Sequence, residues 1–100
     1  MSGFIQVMEI HTSRYEELDA FTKKMEAERG DALLARRVAM TADRDRPGYY
    51  FIIVEFDSYE EAMRNSTDPE TGRYAQEMAS YLDAPPVFHN LDVREIINRR

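Results

Sequence analysis

The clearest pattern in the chain is a run of eight residues, Tyr49–Phe56, that is apolar at both alternating sets of positions. One set is Tyr49, Phe51 and Ile53, and the other is Tyr50, Ile52, Val54 and Phe56. Successive side chains of a β-strand point to opposite faces of the sheet, so a strand with one wet face alternates apolar with polar residues. The run therefore predicts a strand that is covered on both faces.

Three further strands are predicted by apolar content and by the turn signals between them. The four strands are expected over residues 4–11, 32–41, 49–56 and 87–97. Residues 43–48, DRDRPG, are turn chemistry, so the second and third strands are expected to form a hairpin.

Two helical segments separate these strands. The first is expected to begin at Thr12 or Ser13 with a capping box, in which Ser13 and Glu16 would each bond the other's backbone N–H, and to end at Gly30. The second opens with a capping box at Ser58, pauses near Asn65 and restarts at 68–69, where Asp precedes Pro. The predicted order is β-α-β-β-α-β.

This order is the ferredoxin-like α+β pattern, a four-stranded antiparallel sheet with its helices on one face. Residues 1–100 form a single domain of this kind. The helices leave the other sheet face uncovered, although the third strand is apolar there too. We therefore expect a homodimer in which two sheets pair face to face as a dimeric α/β barrel.

Composition removes several classes of function. The chain has no cysteine, so it has no disulfide, thiol nucleophile or thiolate metal site. Its net charge of −6 disfavours nucleic acid, which is bound through Lys and Arg. No apolar run approaches the roughly 20 residues that span a bilayer, and the start lacks a signal-peptide pattern. We expect a cytoplasmic protein that binds no membrane, metal or cofactor.

Candidate chemical groups lie on the strands and at the helix break. Gln6 and Asn90 are amides in otherwise apolar strands, and they would either orient a bound phenol or quinone or bond each other or the backbone. Arg37 shares a predicted face with the small residues Ala35 and Ala39, where it would stabilise a phenolate. The alternative is that Arg37, or its neighbour Arg36, is only an ion-pair partner.

His89 is either a base or haem ligand facing a pocket or a hydrogen-bonded histidine at a sheet edge. Asn65 either lies at the pocket or simply ends its helix. Tyr49 and Phe51 would enter a pocket between the sheets, and the space beside Ala39 would be filled by a Leu at that position. Any ligand would lie between the sheet and its helices or inside the barrel, near Asn65.

Residues 54–66, VEFDSYEEAMRNS, and residues 88–93, FHNLDV, resemble the dimeric α/β-barrel proteins of the antibiotic-biosynthesis-monooxygenase type. Members often have an aromatic residue, frequently Trp, at the position of Phe56, a Ser cap at that of Ser58 and a His at that of Asn65. This chain has no Trp, and Asn65 removes a candidate haem ligand. The resemblance covers nearly the whole chain and specifies fold better than activity.

The resemblance implies a cofactor-independent monooxygenase-like enzyme that acts on a small aromatic or polyketide-like molecule. The substrate anion would itself activate oxygen. Weak catalytic candidates are Arg37, His89 and Asn65, and candidate ligand-binding residues are Gln6, Ala39, Tyr49, Phe51, Phe56 and Asn90. The alternative is a non-catalytic dimeric protein that binds a small ligand or serves as an accessory protein. A haem-degrading role is a third interpretation.

Overall fold

The computed structural model describes residues 3–30 and 33–99. The strands are β1 (Phe4–His11), β2 (Arg37–Ala42), β3 (Tyr49–Phe56) and β4 (Val87–Asp92), and the helices are α1 (Tyr15–Arg29), α2 (Tyr59–Thr67) and α3 (Pro69–Ala79). All strand pairs are antiparallel, in the order β2-β3-β1-β4. The predicted ferredoxin-like order is therefore confirmed, including the division of the second helical segment.

The sheet has two faces of different character. The helix face carries the core, in which Phe4 and Ile10 of β1 and Ile52 and Phe56 of β3 are buried under α1 and α2. The open face carries the other alternating set, including Ile5, Val7, Phe51, Ile53 and Leu91, and no described helix covers it. β3 lies inside the sheet between β1 and β2 and presents apolar side chains to both faces. Helices cover one of these faces, and the cover expected on the other stays a prediction.

Two strands are shorter than predicted. β2 begins at Arg37, and residues 33–36 are irregular, while Ala32 lies outside the described residues. β4 ends at Asp92, although a strand was predicted as far as residue 97. Among the described strands, β4 pairs with β1 alone. The first residue of β1, Phe4, pairs with Asp92, so β1 has no further strand residue with which β4 could pair. A last backbone bond runs from the N–H of Val93 to the carbonyl of Gly3.

The helix starts differ in part from expectation. The capping box at Ser13 is wrong, because the Ser13 hydroxyl donates to Asp83 and Thr12 accepts the N–H of Arg14 instead. Ser58 does cap α2, accepting the N–H of Glu61 at 3.1 Å. Asp68 caps α3 as predicted, with Pro69 in the first helical turn. Gly30 ends α1 with a positive φ of 49°, as predicted.

Within the described residues, no helix combines the length and the apolarity that crossing a bilayer requires.

Candidate functional site

A cavity of about 280 Å³ lies between the helix face of the sheet and the three helices. Its walls are mainly apolar, with polar groups from β1, α1, α2 and the start of α3. The apolar lining includes Met8, Phe21, Met25, Val38, Ile52, Val54, Phe56, Ala62, Met78 and Phe88. Ligand sites in proteins are usually apolar concavities with a few placed polar groups, and this volume is at the small end of their range.

A second depression, about 510 Å³, lies on the surface at the start of α1. Most of its lining side chains are exposed and charged or polar, among them Ser13, Arg14, Glu16 and Glu17. It is an open groove without an enclosing wall. The cavity under the helices is therefore the candidate functional site.

Asn65 supplies an unusual group to this cavity. It lies in the last turn of α2, whose start is fixed by the Ser58 cap, and its backbone carbonyl accepts the N–H of Asp68 at 3.3 Å. Its side-chain oxygen Oδ1 is buried and has no hydrogen-bond partner among the described residues. Nearly all buried polar atoms in proteins are partnered, so this acceptor is positioned for a donor that the described chain does not supply.

Gln6 and Asn90 are joined to each other, which is one of the two possibilities that the sequence left open. The Gln6 amide donates to Asn90 Oδ1 at 3.0 Å across the β1–β4 ladder. Gln6 lines the cavity, whereas Asn90 is exposed on the edge strand. Gln6 therefore places its amide in the cavity wall, and the hydrogen bond to Asn90 fixes the orientation of that amide.

Arg29 is a cavity residue that sequence reasoning missed. Its side chain is only 4% exposed, and its guanidinium donates to Thr71 Oγ1 at 2.7 Å and to Asp68 Oδ2 at 2.9 Å. The other Asp68 oxygen accepts the N–H of Glu70 at the start of α3. The guanidinium also lies over the ring of Tyr74, 5.8 Å from its centre. Arg29 thus ties the end of α1 to the start of α3.

Helical spacing could have identified Arg29. The buried stripe of α1 runs through Leu18, Phe21 and Met25, and the next position at an interval of four is Arg29. A charged residue that continues an apolar stripe is either at the helix end, reaching solvent, or buried with a partner. The sequence does not identify Asp68 and Thr71 as those partners, because they lie about 40 residues away along the chain.

Tyr74 contributes its ring to the cavity and directs its hydroxyl elsewhere. The hydroxyl donates to Glu28 Oε1 at 2.6 Å. This hydrogen bond, together with burial and the Glu28 charge, raises the pKa of Tyr74. Tyr74 therefore stays protonated near neutral pH and is not a proton acceptor for a ligand.

Several candidates from the sequence lie on the open face, away from this cavity. Arg37 is 73% exposed and pairs with Glu55 at 2.5 Å, so the ion-pair interpretation describes it. His89 is 48% exposed, with Nε2 3.7 Å from Glu9 Oε1. Tyr49 stacks on His11, with ring centres 4.5 Å apart.

Ala39 and Phe51 also lie on the open face, two positions apart in the β2–β3 pairing. Phe56, Gln6 and Asn65 are the sequence candidates that line the cavity. The predicted shared face of Ala35 with Arg37 and Ala39 is wrong. Ala35 precedes the observed strand and lines the cavity, because strand alternation begins only at Arg37.

In the part of the chain that the structure describes, no cluster of three or more His, Asp or Glu side chains could hold a metal ion. Among the described residues that line the cavity, only Glu26, Arg29 and Tyr74 are titratable. Glu26 is exposed at the rim. The cavity can bind an apolar molecule and direct hydrogen bonds at its oxygen substituents.

The fold matches solved structures closely. A protein from Bordetella bronchiseptica provisionally named an antibiotic biosynthesis monooxygenase superimposes with a TM-score of 0.78 at 13% identity, covering 97% of this chain and 100% of that one. SnoaB from Streptomyces nogalater, a cofactor-independent oxygenase solved as an asparagine-to-alanine variant, gives 0.73 at 14% identity, covering 96% and 95%. A conserved protein from Methanosarcina mazei gives 0.77 at 10% identity, covering 91% and 92%.

At these identities the likeness establishes the fold, which includes proteins named as monooxygenases and proteins without a named activity. No protein-family model matches the chain, and no curated protein matches it either.

Proposed function

We propose that the protein is a cofactor-independent monooxygenase-like enzyme of the antibiotic-biosynthesis-monooxygenase type, acting in the cytoplasm on a small aromatic or polyketide-like molecule. The observation that carries the proposal is the apolar cavity under the helices with the unpartnered Asn65 oxygen in its wall. The fold shared with SnoaB supports the reaction class.

Each wall of the cavity has a part in this proposal. The apolar side chains of β3 would lie along one side of the bound rings and exclude water from them; they are Ile52, Val54 and Phe56. Asn65 Oδ1 accepts a hydrogen bond from a substrate hydroxyl and so fixes the orientation of the rings. The amide of Gln6, held by Asn90, would bond a second oxygen of the substrate.

The reaction we propose converts an activated ring CH₂ of the substrate to a carbonyl. The substrate loses a proton to solvent water, and the resulting delocalised anion donates electrons to O₂, with protons from solvent completing the water that is released. One oxygen atom becomes the new carbonyl and the other leaves as water, so the four electrons that reduce O₂ come from the substrate carbon. The protein orients the substrate and keeps its anion out of bulk water.

The test is oxygen uptake with a panel of anthrones, whose central ring carries an activated CH₂, together with incorporation of labelled oxygen into the product. We expect turnover above the buffer rate, and we expect Asn65→Ala to lower kcat/KM about two- to tenfold, the loss of about 0.5–1.5 kcal/mol for one hydrogen bond between neutral groups. Asn98→Ala is the matched control, since Asn98 is exposed in the C-terminal segment. Buffer rates across the whole panel would contradict the proposal.

A non-catalytic ligand-binding or accessory protein is the second candidate, and one observation favours it. Among the described residues that line the cavity there is no histidine, and the one carboxylate, that of Glu26, is at the exposed rim, so none of them is a buried group that could remove a substrate proton. Tight binding of a panel member without oxygen uptake would select this candidate. The same lack of histidine means that the cavity residues do not fit a haem-degrading role, because neither His11 nor His89 lines it.

We also propose that a second copy of the chain covers the open face. The centre of this face is apolar, with Ile5, Val7, Phe51, Ile53 and Leu91. Around the centre, charges of both signs are already paired within the chain, as in Arg37–Glu55 and Arg46–Glu9. A face with an apolar centre and a balanced charged rim is compatible with a copy of itself.

A further inference from the structure

We infer that Arg29 makes the cavity selective for aromatic molecules that carry two oxygen substituents, one retained as a hydroxyl that donates to Asn65 and the other bound as an anion beside the guanidinium. The inference rests on the cavity being the binding site, as the proposed function assigns it. It does not require turnover.

The charge balance of the cavity is the first argument. Arg29 is the one cation among its described lining residues, and Glu26, the one carboxylate, is exposed at the rim. The Arg29 side chain is 4% exposed, whereas that of its partner Asp68 is 37% exposed. Water therefore screens the carboxylate more than the guanidinium, because a field in a poorly hydrated interior is weakened less than one at the surface. The inside of the cavity is left with a positive potential near Arg29.

The hydrogen-bonding capacity of Arg29 is the second argument. A guanidinium carries five N–H donors. In the described chain, Thr71 and Asp68 each accept one, and the Tyr74 ring covers a face of the group. These contacts hold the guanidinium in a fixed orientation and leave N–H groups for an anionic ligand oxygen, with which charge-assisted hydrogen bonds are strong.

Hydrogen bonds through Asp68 connect the residue that carries the acceptor, Asn65, with the residue that carries the cation, Arg29. The backbone carbonyl of Asn65 accepts the N–H of Asp68, and the Asp68 side chain accepts from Arg29. Asn65 Oδ1 requires a donor, so it favours a protonated hydroxyl, while Arg29 favours a deprotonated oxygen. An aromatic ligand with two oxygen substituents that ionise separately satisfies both groups.

The probe for this inference is 4-nitrocatechol, whose ionisation changes its colour, with EDTA present to exclude metal complexes. 4-Nitrophenol has one hydroxyl, and 4-nitroveratrole has none. We expect the protein to lower the first pKa of bound 4-nitrocatechol by about 1 unit or more, the effect of a nearby opposite charge. Each unit corresponds to a tenfold preference for the anion. We expect 4-nitrophenol to bind more weakly and 4-nitroveratrole weakest.

Variants separate the two roles. Arg29→Lys should keep most of the pKa shift, and Arg29→Met should abolish it without weakening 4-nitroveratrole. Asn65→Ala should reduce the affinity for 4-nitrocatechol to that for 4-nitrophenol while the shift remains. The control is Arg64→Met, which removes a cation that is 68% exposed on α2 and paired with Glu61. Because Arg29→Met leaves the Asp68 carboxylate without its partner, the double variant Arg29→Met/Asp68→Asn serves if the single one does not fold.

The wild-type titration decides the anion preference by itself. The inference would be overturned if bound 4-nitrocatechol had the same first pKa as it has in water, or if the pKa shift persisted in folded Arg29→Met. Failure of the proposed function is distinguishable: a shift without oxygen uptake by any substrate removes the catalysis and keeps the selectivity. Oxygen uptake without a pKa shift of the bound probe keeps the proposed catalysis and removes the inferred selectivity.

Discussion

Among single residues, Thr12 shows how much structure one buried hydroxyl can organise. Its side chain is 1% exposed. The hydroxyl donates to the Tyr81 carbonyl at 2.5 Å and accepts the N–H of Arg14 at 2.9 Å. It thereby joins the end of β1, the start of α1 and the turn after α3.

Replacing Thr12 with Val keeps the shape and removes both hydrogen bonds. We expect Thr12→Val to lower the free energy of unfolding by about 1–2 kcal/mol, since it leaves the partly buried carbonyl of Tyr81 and N–H of Arg14 without these partners. Urea denaturation measures this. Ser13→Ala is the control, because Ser13 is exposed and makes a single long bond of 3.3 Å to Asp83. Equal effects of the two substitutions would show that the Thr12 hydroxyl contributes no more to the free energy of unfolding than the exposed Ser13 hydroxyl does.

Residue type and local spacing predicted some site residues and missed others for a physical reason. Gln6 was identifiable as a polar residue in an apolar strand, and Asn65 by its place at the break between two helical segments. The partners of Gln6 and Arg29, however, lie 84 and about 40 residues away in the chain, so no local pattern contains them. Arg37 illustrates the converse: its strand face was predicted, but the neighbour that neutralises it, Glu55, belongs to another strand.

At the scale of elements, hydrophobic periodicity predicted the interiors of helices and strands better than their ends. The end of β4 depends on where β1 begins, and the start of α1 depends on Thr12 and not on the Ser13 capping box. Turn chemistry was more reliable. The β2–β3 hairpin turn is closed by Asp43, whose carboxylate accepts from the Arg46 side chain at 2.9 Å and from the N–H of Asp45 at 3.0 Å.

The Asp43 turn gives a pH-dependent prediction. The hydrogen bond from Arg46, followed by that from the Asp45 N–H, lowers the pKa of Asp43. A lowered pKa contributes stability above the unfolded-state pKa, and this contribution is lost as the pH falls through the folded-state pKa. We expect the Asp43 carboxyl, followed by NMR, to titrate below its unfolded-state value. Asp43→Asn should then make unfolding less sensitive to acid.

Asp45→Asn is the control for this turn, since it keeps the backbone N–H that Asp43 accepts and removes an exposed carboxylate. Its acid sensitivity should match that of the wild type. An Asp43 pKa equal to the unfolded-state value would mean that the Arg46 and Asp45 bonds do not persist in solution.

On the scale of the whole molecule, the fold follows from one sheet that has two apolar faces and from helices that cover one of those faces. This much was predictable, because alternation along β3 is a local property. Which face holds the cavity was not predictable, since alternation along β3 does not say which of its two apolar sets faces the helices, and Ala35 could be placed only once the start of β2 was known. The proposed assembly depends on the open face.

The proposed dimer can be tested on β4, where two apolar side chains of similar exposure point to opposite faces. Leu91, 46% exposed, pairs with Ile5 on the open face, and Phe88, 49% exposed, pairs with Met8 on the helix face. We expect wild type in light scattering at twice the chain mass of 11.7 kDa. Leu91→Glu should shift it to the monomer, because each copy would bury an unpaired carboxylate in the interface. Phe88→Glu should stay dimeric, and a wild-type monomer at micromolar concentration would refute the assembly.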